Sequence, residues 1–298
     1  MLKPKCFGFN TQTAVTNYFQ QNENDLMVAG TSEKAEKEFD DLRQKIINAG
    51  INVVCLYDTL LPEKPDAVFL NNWFSTHDEG SVFIYPMLTH NRRAEKRPEL
   101  IDLIKGNFKV TRIFDWSSFE DQNIFLEGTG SMVVDRKGGK VYAALSPRTS
   151  QVLVFDFAEK MNLKPVLFSA FDDANRTIYH TNVMMALGNG FAVVCADSIS
   201  NKNERKVVIS SLEEEGYEII LISLEQVNNF AGNLLQLQNT NGDFYLIMST
   251  RAYDVLTLPQ IAAIKRHTSI LYADLSTIET IGGGGARCML AEMFLTQI

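Results

Sequence analysis

Five chemically varied residues stand at a nearly constant spacing along this chain, and that spacing limits its fold more than any other feature. Asn72, Glu127, His180, Asn233 and Cys288 are separated by 55, 53, 53 and 55 residues. Each opens the same kind of segment: a polar residue, a strand-like run, a Gly/Asp/Asn turn and a second apolar run, which reads as a β-hairpin. The clearest copies are NNWFSTHDEGSVFIYPM, LEGTGSMVVDRKGGKVYAAL, HTNVMMALGNGFAVVCADS and GNLLQLQNTNGDFYLIMS. A fifth starts at GGGGARCMLAEMF and stops short at residue 298, so KPKCFGFN near the N-terminus is expected to supply its partner strand.

Helical segments lie between the hairpins. EKAEKEFDDLRQKIINAG, RRAEKRPELIDLIKG, TSQVLVFDFAEKMNL, KNERKVVISSLEEEG and TLPQIAAIKRH carry apolar residues at helical spacing. Each precedes a short apolar run: INVVCLYD, FKVTRIFDW, KPVLFSAF, YEIILISL and SILYADLS. The unit is therefore ββαβ, repeated five times in an α/β chain. Repeats of this size place equivalent positions at equivalent points in space. In a closed ring the five opening residues would converge on the central axis, bringing together a carboxylate, an imidazole and a thiol. No Pro/Gly/Ser linker breaks the period, so residues 1–298 are expected to form one domain.

Composition narrows the function. The chain is 45% hydrophobic and 21% charged, as a soluble globular protein is, and 28 basic against 36 acidic residues leave a net charge of −8. No segment concentrates lysine and arginine, which argues against nucleic acid and anionic membranes as partners. The N-terminus has no apolar signal region, and no run of about 18 apolar residues could cross a bilayer. The four cysteines show no CxxC spacing, so a reducing cytoplasm is expected. The sequence leaves a homo-oligomer open.

The cysteines are not alike. Cys55 and Cys195 lie in β-branched apolar runs and read as buried thiols. Cys288 instead follows Gly282–Gly285 and Arg287, where missing side chains let backbone and substrate approach the sulfur. Together with His180 and Glu127 it forms the usual arrangement for nucleophilic catalysis, a thiolate served by an imidazole and an acid. His77, His90 and His267 have no such partner and read as structural or surface residues; the thirteen-residue gap from His77 to His90 matches no zinc-ligand pattern. Asp66, Asn71 and Asn72 offer carboxylate and amide groups at one point. Arg92 or Arg93, and Arg148 one repeat later, are candidates to bind a substrate carboxylate. Glu213, Glu214 and Glu215 read as a solvated helix end.

These segments resemble, in order, motifs of the amidinotransferase-like (pentein) superfamily of arginine deiminases, dimethylarginine dimethylaminohydrolases and glycine amidinotransferases. PDAVFLNNW resembles the strand that carries guanidinium-binding acids, LEGTGSMVVDR the acid–glycine segment, YHTN the histidine motif and GGGGARCML the cysteine loop. FGFNTQTAVTNYFQ, YPMLTHNRRAEKR and GGGGARCMLAEMF are similar to the citrulline-utilisation hydrolase branch. The resemblance implies a five-bladed αβ-propeller, which agrees with the repeat count.

One departure is informative. Asn71 and Asn72 stand where guanidinium-binding relatives carry acids, and Asn182 where deiminases place an aspartate after the histidine. A ureido group is neutral with one carbonyl acceptor, so amides suit it better than carboxylates do. The expectation is a hydrolase acting on a small amino acid, citrulline or a similar ureido compound, giving ornithine, ammonia and carbon dioxide. Cys288 would attack, His180 would serve as acid and base, and Glu127 would orient it. Asp66, Asn71, Asn72 and Asn182 would hold the ureido group, with no metal and no organic cofactor. A guanidino hydrolase is the alternative within enzymes, and a non-catalytic propeller binding module the alternative outside them.

Overall fold

The computed structural model describes residues 1–21 and 30–298. Strands β1 (Leu2–Lys3) and β2 (Leu56–Tyr57) pair in parallel. Four three-stranded sheets follow along the chain: β3 (Phe74–Thr76), β4 (Ser81–Ile84) and β5 (Arg112–Asp115); β6 (Val133–Asp135), β7 (Lys140–Ala144) and β8 (Lys164–Phe168); β9 (Met185–Gly188), β10 (Phe191–Val194) and β11 (Glu218–Leu221); β12 (Leu235–Gln238), β13 (Phe244–Ser249) and β14 (Ser269–Ala273). Each repeats one topology, an antiparallel hairpin and then a strand parallel to its second arm. In the third sheet, Val193 opposes Ala186 in the hairpin and Ile220 in the parallel pair. A parallel return needs a crossover, and a helix such as Lys202–Glu214 supplies it. β9 lies against both β6 and β12, so the first strands of successive blades are neighbours around a ring. This is the five-bladed αβ-propeller.

Local chemistry explains the helices and where they depart from the sequence expectation. In Thr31–Asn48, residues Ala35, Phe39, Leu42 and Ile46 recur at helical spacing and are buried. Burying each of the three larger side chains contributes about 1.5–3 kcal/mol. Asn201 caps Lys202–Glu214 by accepting from the Asn203 and Glu204 backbone amides. The segment RRAEKRPELIDLIKG, expected as one helix, is two: a 3₁₀ turn at His90–Glu95 and an α-helix at Pro98–Asn107. Pro98 cannot continue a helix from behind, and it forces Arg97 into an extended conformation.

The fifth blade is the least regular. INVVCLYD contributes only the two residues of β2, and Cys55, expected to be buried, is partly exposed. Leu2–Lys3 of the N-terminal segment does join this blade, but it pairs with β2. Among the described residues, the stretch after Met289 forms no named strand; Phe294 N instead donates to Thr76 Oγ1, which donates to Glu292 O.

Short turns precede three of the hairpins, Leu70–Asn72, Gly128–Ser131 and Thr181–Val183, and with the turn Ala286–Met289 they meet at the middle of the ring. Their approach is close enough to dictate a residue. Gly128 has φ +49°, and a Cβ there would fall 2.3 Å from the Asn71 carbonyl oxygen. Among the described residues no helix is long and apolar enough to cross a membrane.

Candidate active site

The turns deliver the opening residues of the five repeats. Asn72 ends the first turn, Glu127 and His180 cap the second and third, Asn233 lies two residues before β12, and Cys288 sits inside the last. All five are buried. Cys288, His180, Asn72, Asp66, Arg92 and Arg148 line one narrow pocket, walled also by Phe69, Tyr179, Asn17 and the glycine loop.

His180 Nε2 lies 2.8 Å from Glu127 Oε2. Burial would raise the Glu127 pKa, but Arg148, the His180 hydrogen bond and Arg92 outweigh it and hold the carboxyl down at about 2. Burial dominates at His180, whose pKa falls to about 4 despite the carboxylate beside it. At neutral pH the pair is therefore carboxylate and neutral imidazole. A carboxylate only accepts, so Nε2 carries the proton and Nδ1 keeps a lone pair. Nδ1 and the Asn72 amide nitrogen flank Gly130: a Cβ on that glycine would lie 2.7 Å from one and 2.6 Å from the other. The missing side chain keeps the space beside both open.

Amides surround the sulfur. Asn233 Nδ2 donates to Cys288 Sγ at 3.2 Å and Asn182 Nδ2 donates at 3.6 Å. Burial raises the Cys288 pKa, offset by the Asn233 hydrogen bond, Arg287, Asn182 and the backbone at Gly285. At rest, then, the group is a neutral thiol.

Asp66 and the two arginines complete the pocket. Asp66 Oδ2 accepts from Asn10 Nδ2 at 2.7 Å and Thr13 Oγ1 at 3.0 Å, while Oδ1 is buried without a partner. Burial raises the Asp66 pKa, countered by Arg92, Asn10 and Thr13. Arg92 pairs with both oxygens of Glu95, at 2.8 Å each, and Nη1 donates to Asn72 Oδ1 at 2.9 Å. Arg148 donates to Thr16 Oγ1 and the Thr13 carbonyl, and its Nη1 lies 3.5 Å from Glu127.

Two expected residues are placed elsewhere. Arg93, expected as a substrate-binding arginine, does not line the pocket: Nε donates to the Met87 carbonyl, the guanidinium pairs with Glu120 and it stacks on Phe125. Successive residues of the His90–Glu95 turn point different ways, and of the two arginines only Arg92 faces inward, where it meets the buried Glu95. Asn71 also turns from the pocket, donating to Thr129 Oγ1 and accepting from Asn72 Nδ2, so it supports its neighbour. Conversely, several groups that line the pocket or hold its lining residues lie outside the expected set. Asn233 shares the repeat register, a signal that was present in the sequence. Asn10, Thr13, Thr16 and Asn17 come from FGFNTQTAVTNYFQ, whose polar spacing matches no repeat. Asn17 Nδ2 lies 3.3 Å from both the Gly282 and Gly283 carbonyl oxygens, tying that segment to the cysteine loop.

The propeller defines the class, a pentein fold. Within it, the chain belongs to the family described as N,N dimethylarginine dimethylhydrolase, eukaryotic, whose model matches residues 3–295. Among solved structures, a substrate-bound mutant of the N-terminal domain of ArgZ, an arginine dihydrolase from the ornithine–ammonia cycle in cyanobacteria, superposes with a TM-score of 0.76. The identity is 17%, over 100% of this chain and 96% of that one. Apo ArgZ aligns with a TM-score of 0.75 at 18% identity over 97% of this chain, which spans only 39% of ArgZ. A dimethylarginine dimethylaminohydrolase mutant in adduct with S-methyl-L-thiocitrulline aligns with a TM-score of 0.61 at 14% identity, over 90% and 89% of the two chains. At such identities the likeness is one of fold. No curated protein sequence matches the chain.

Proposed function

We propose that this chain is a cysteine hydrolase that cleaves a ureido C–N bond, with citrulline as the best-fitting substrate. The observation that carries the reading is the pair of amides at the reacting groups: Asn72 in the pocket wall with His180, and Asn182 beside the Cys288 sulfur. An amide can donate to a ureido carbonyl and accept from its N–H groups, whereas a carboxylate only accepts. Of the acids at hand, Glu127 is committed to His180 and Arg148, and Asp66 offers one free oxygen, Oδ1.

The chemistry follows from the resting charges. The Cys288 thiol gives its proton to His180 Nδ1 as sulfur attacks the ureido carbon. The S–C bond forms and the carbonyl π pair moves to oxygen. Collapse expels one nitrogen, as ammonia or as the ornithine side-chain amine, which takes the proton from His180. Water then loses a proton to His180 and adds to the S-linked carbonyl; the C–S bond breaks and sulfur is reprotonated. The carbamate product loses carbon dioxide. The sum is citrulline and water to ornithine, ammonia and carbon dioxide, with no change of oxidation state. Arg148, which keeps spare donor capacity, binds the amino-acid carboxylate, and Arg92 holds Asn72 in place. Residues 1–298 act as one domain in this reading.

The second reading is a guanidino substrate. It is favoured by the unpartnered, buried Asp66 Oδ1, which could accept from a guanidinium, and by the family's dimethylarginine name. A panel of citrulline, arginine, agmatine and dimethylarginine, assayed for ammonia and ornithine, separates the two. Citrulline should turn over fastest, with one ornithine per ammonia. Preference for arginine or dimethylarginine would move the assignment to the second reading, and inertness toward all four would remove both.

A further inference from the structure

The opener of the fourth repeat has no part in the steps above, yet among the described residues it makes the shortest side-chain hydrogen bond to the sulfur. Asn233 Nδ2 reaches Cys288 Sγ at 3.2 Å and also donates to the Asn182 carbonyl at 3.0 Å. Its Oδ1 accepts from the Arg287 backbone N–H at 3.1 Å. That last contact settles the orientation of the amide, because a backbone N–H can only donate and must face oxygen. Both Asn233 N–H groups are then directed, one at the carbonyl and one at the sulfur. The side chain is only 2% exposed, so neither contact is shared with bulk water.

We infer that Asn233 is a catalytic residue whose amide N–H stabilises the Cys288 thiolate, an assignment that rests on Cys288 being the nucleophile. The need for such a donor follows from the charges around the sulfur. A guanidinium ligand would itself favour a neighbouring thiolate, but a neutral ureido group brings no charge. The charges of the pocket arginines already face carboxylates: Arg92 pairs with Glu95, and Arg148 lies 3.5 Å from Glu127. Arg287, next in sequence, directs Nη1 to the Leu290 carbonyl at 2.7 Å and Nη2 toward Glu292. Hydrogen bonds to a charged acceptor are among the stronger ones a buried site can make. The repeat itself supplies this donor, since Asn233 holds the same register position as Cys288 one blade earlier.

The test is alkylation of the free protein by neutral iodoacetamide across pH, following the Cys288 peptide by mass spectrometry so that Cys6, Cys55 and Cys195 are resolved separately. No substrate is present, so the result does not depend on whether citrulline is the substrate. Asn233→Ala should move the midpoint of the Cys288 profile up by about one pH unit or more, a tenfold loss of thiolate at fixed pH. The isosteric Asn233→Asp should move it further, because a carboxylate cannot donate and repels the thiolate. Thermal unfolding of both variants checks that the fold is retained. Midpoints unchanged from wild type would overturn the assignment. So would a uniform change in rate at every pH, since that reports altered access and not altered ionisation.

Discussion

His180 donates through Nε2 to Glu127 at 2.8 Å, and this hydrogen bond leaves Nδ1 as the ring nitrogen with a free lone pair. The carboxylate fixes both tautomer and ring angle. Glu127→Gln keeps the shape but can present an N–H to the ring, which permits the opposite tautomer. The expected outcome is a fall in kcat of about 10²–10⁴-fold, the range for loss of effective acid–base catalysis. Steady-state kinetics on citrulline would check it, and a loss under threefold would contradict the assigned tautomer.

The pH dependence follows from the same pair. His180 serves as a base only when neutral, and burial holds its pKa at about 4, below the ordinary imidazole value. Activity should persist as pH falls through 6.5 and disappear only near 4, where Nδ1 becomes protonated. A pH profile of kcat/KM taken over a range where the protein stays folded decides this. An acid limb centred between 6 and 7 would show that His180 titrates as an exposed histidine does.

Gly130 tests the open space beside Nδ1. A methyl group there would sit 2.6 Å from Asn72 Nδ2 and 2.7 Å from His180 Nδ1, so one of them must move. Displacing a reacting group by about 1 Å can cost about 10²-fold in rate. Gly130→Ala should therefore lose about two orders of magnitude in kcat, with about 1–3 kcal/mol of stability from overpacking. Activity within twofold of wild type would mean that neither group is needed where it stands.

Two neighbouring arginine assignments can be separated by one comparison. Arg148 is 1% exposed in the pocket wall, whereas Arg93 pairs with Glu120 in a part-buried position outside the pocket. Arg148→Gln should raise KM by about 10–10²-fold, as expected for loss of a charge-assisted hydrogen bond to a carboxylate. Arg93→Gln should leave KM within about twofold, since Arg93 does not line the pocket. Equal effects would return Arg93 to the site.

Much of this was legible in the sequence because the repeat is strong. The 53–55-residue register alone predicts that Asn72, Glu127, His180 and Cys288 come together, since equivalent residues of a ring must converge. It also marks Asn233, whose Nδ2 the structure places beside the sulfur. Arg92 and Arg93 could not be told apart, because a 3₁₀ turn has no long periodicity to say which residue faces inward. The Asn10–Asn17 segment was opaque for a different reason: its contacts, Asp66, Arg148 and the Gly282–Gly283 carbonyls, are distant in sequence and follow no repeat. The fifth blade was overestimated, since INVVCLYD has strand composition but pairs through only Leu56 and Tyr57.

The central claim is that Cys288 attacks the ureido carbon. The most direct measurement quenches the protein with acid during citrulline turnover, examines the Cys288 peptide by mass spectrometry, and assays ammonia release by Cys288→Ser in parallel. The account expects an S-linked carbonyl adduct on Cys288 in the wild type and no ammonia above background from the variant. Ammonia release by Cys288→Ser at the wild-type rate, with no adduct on the native protein, would contradict it.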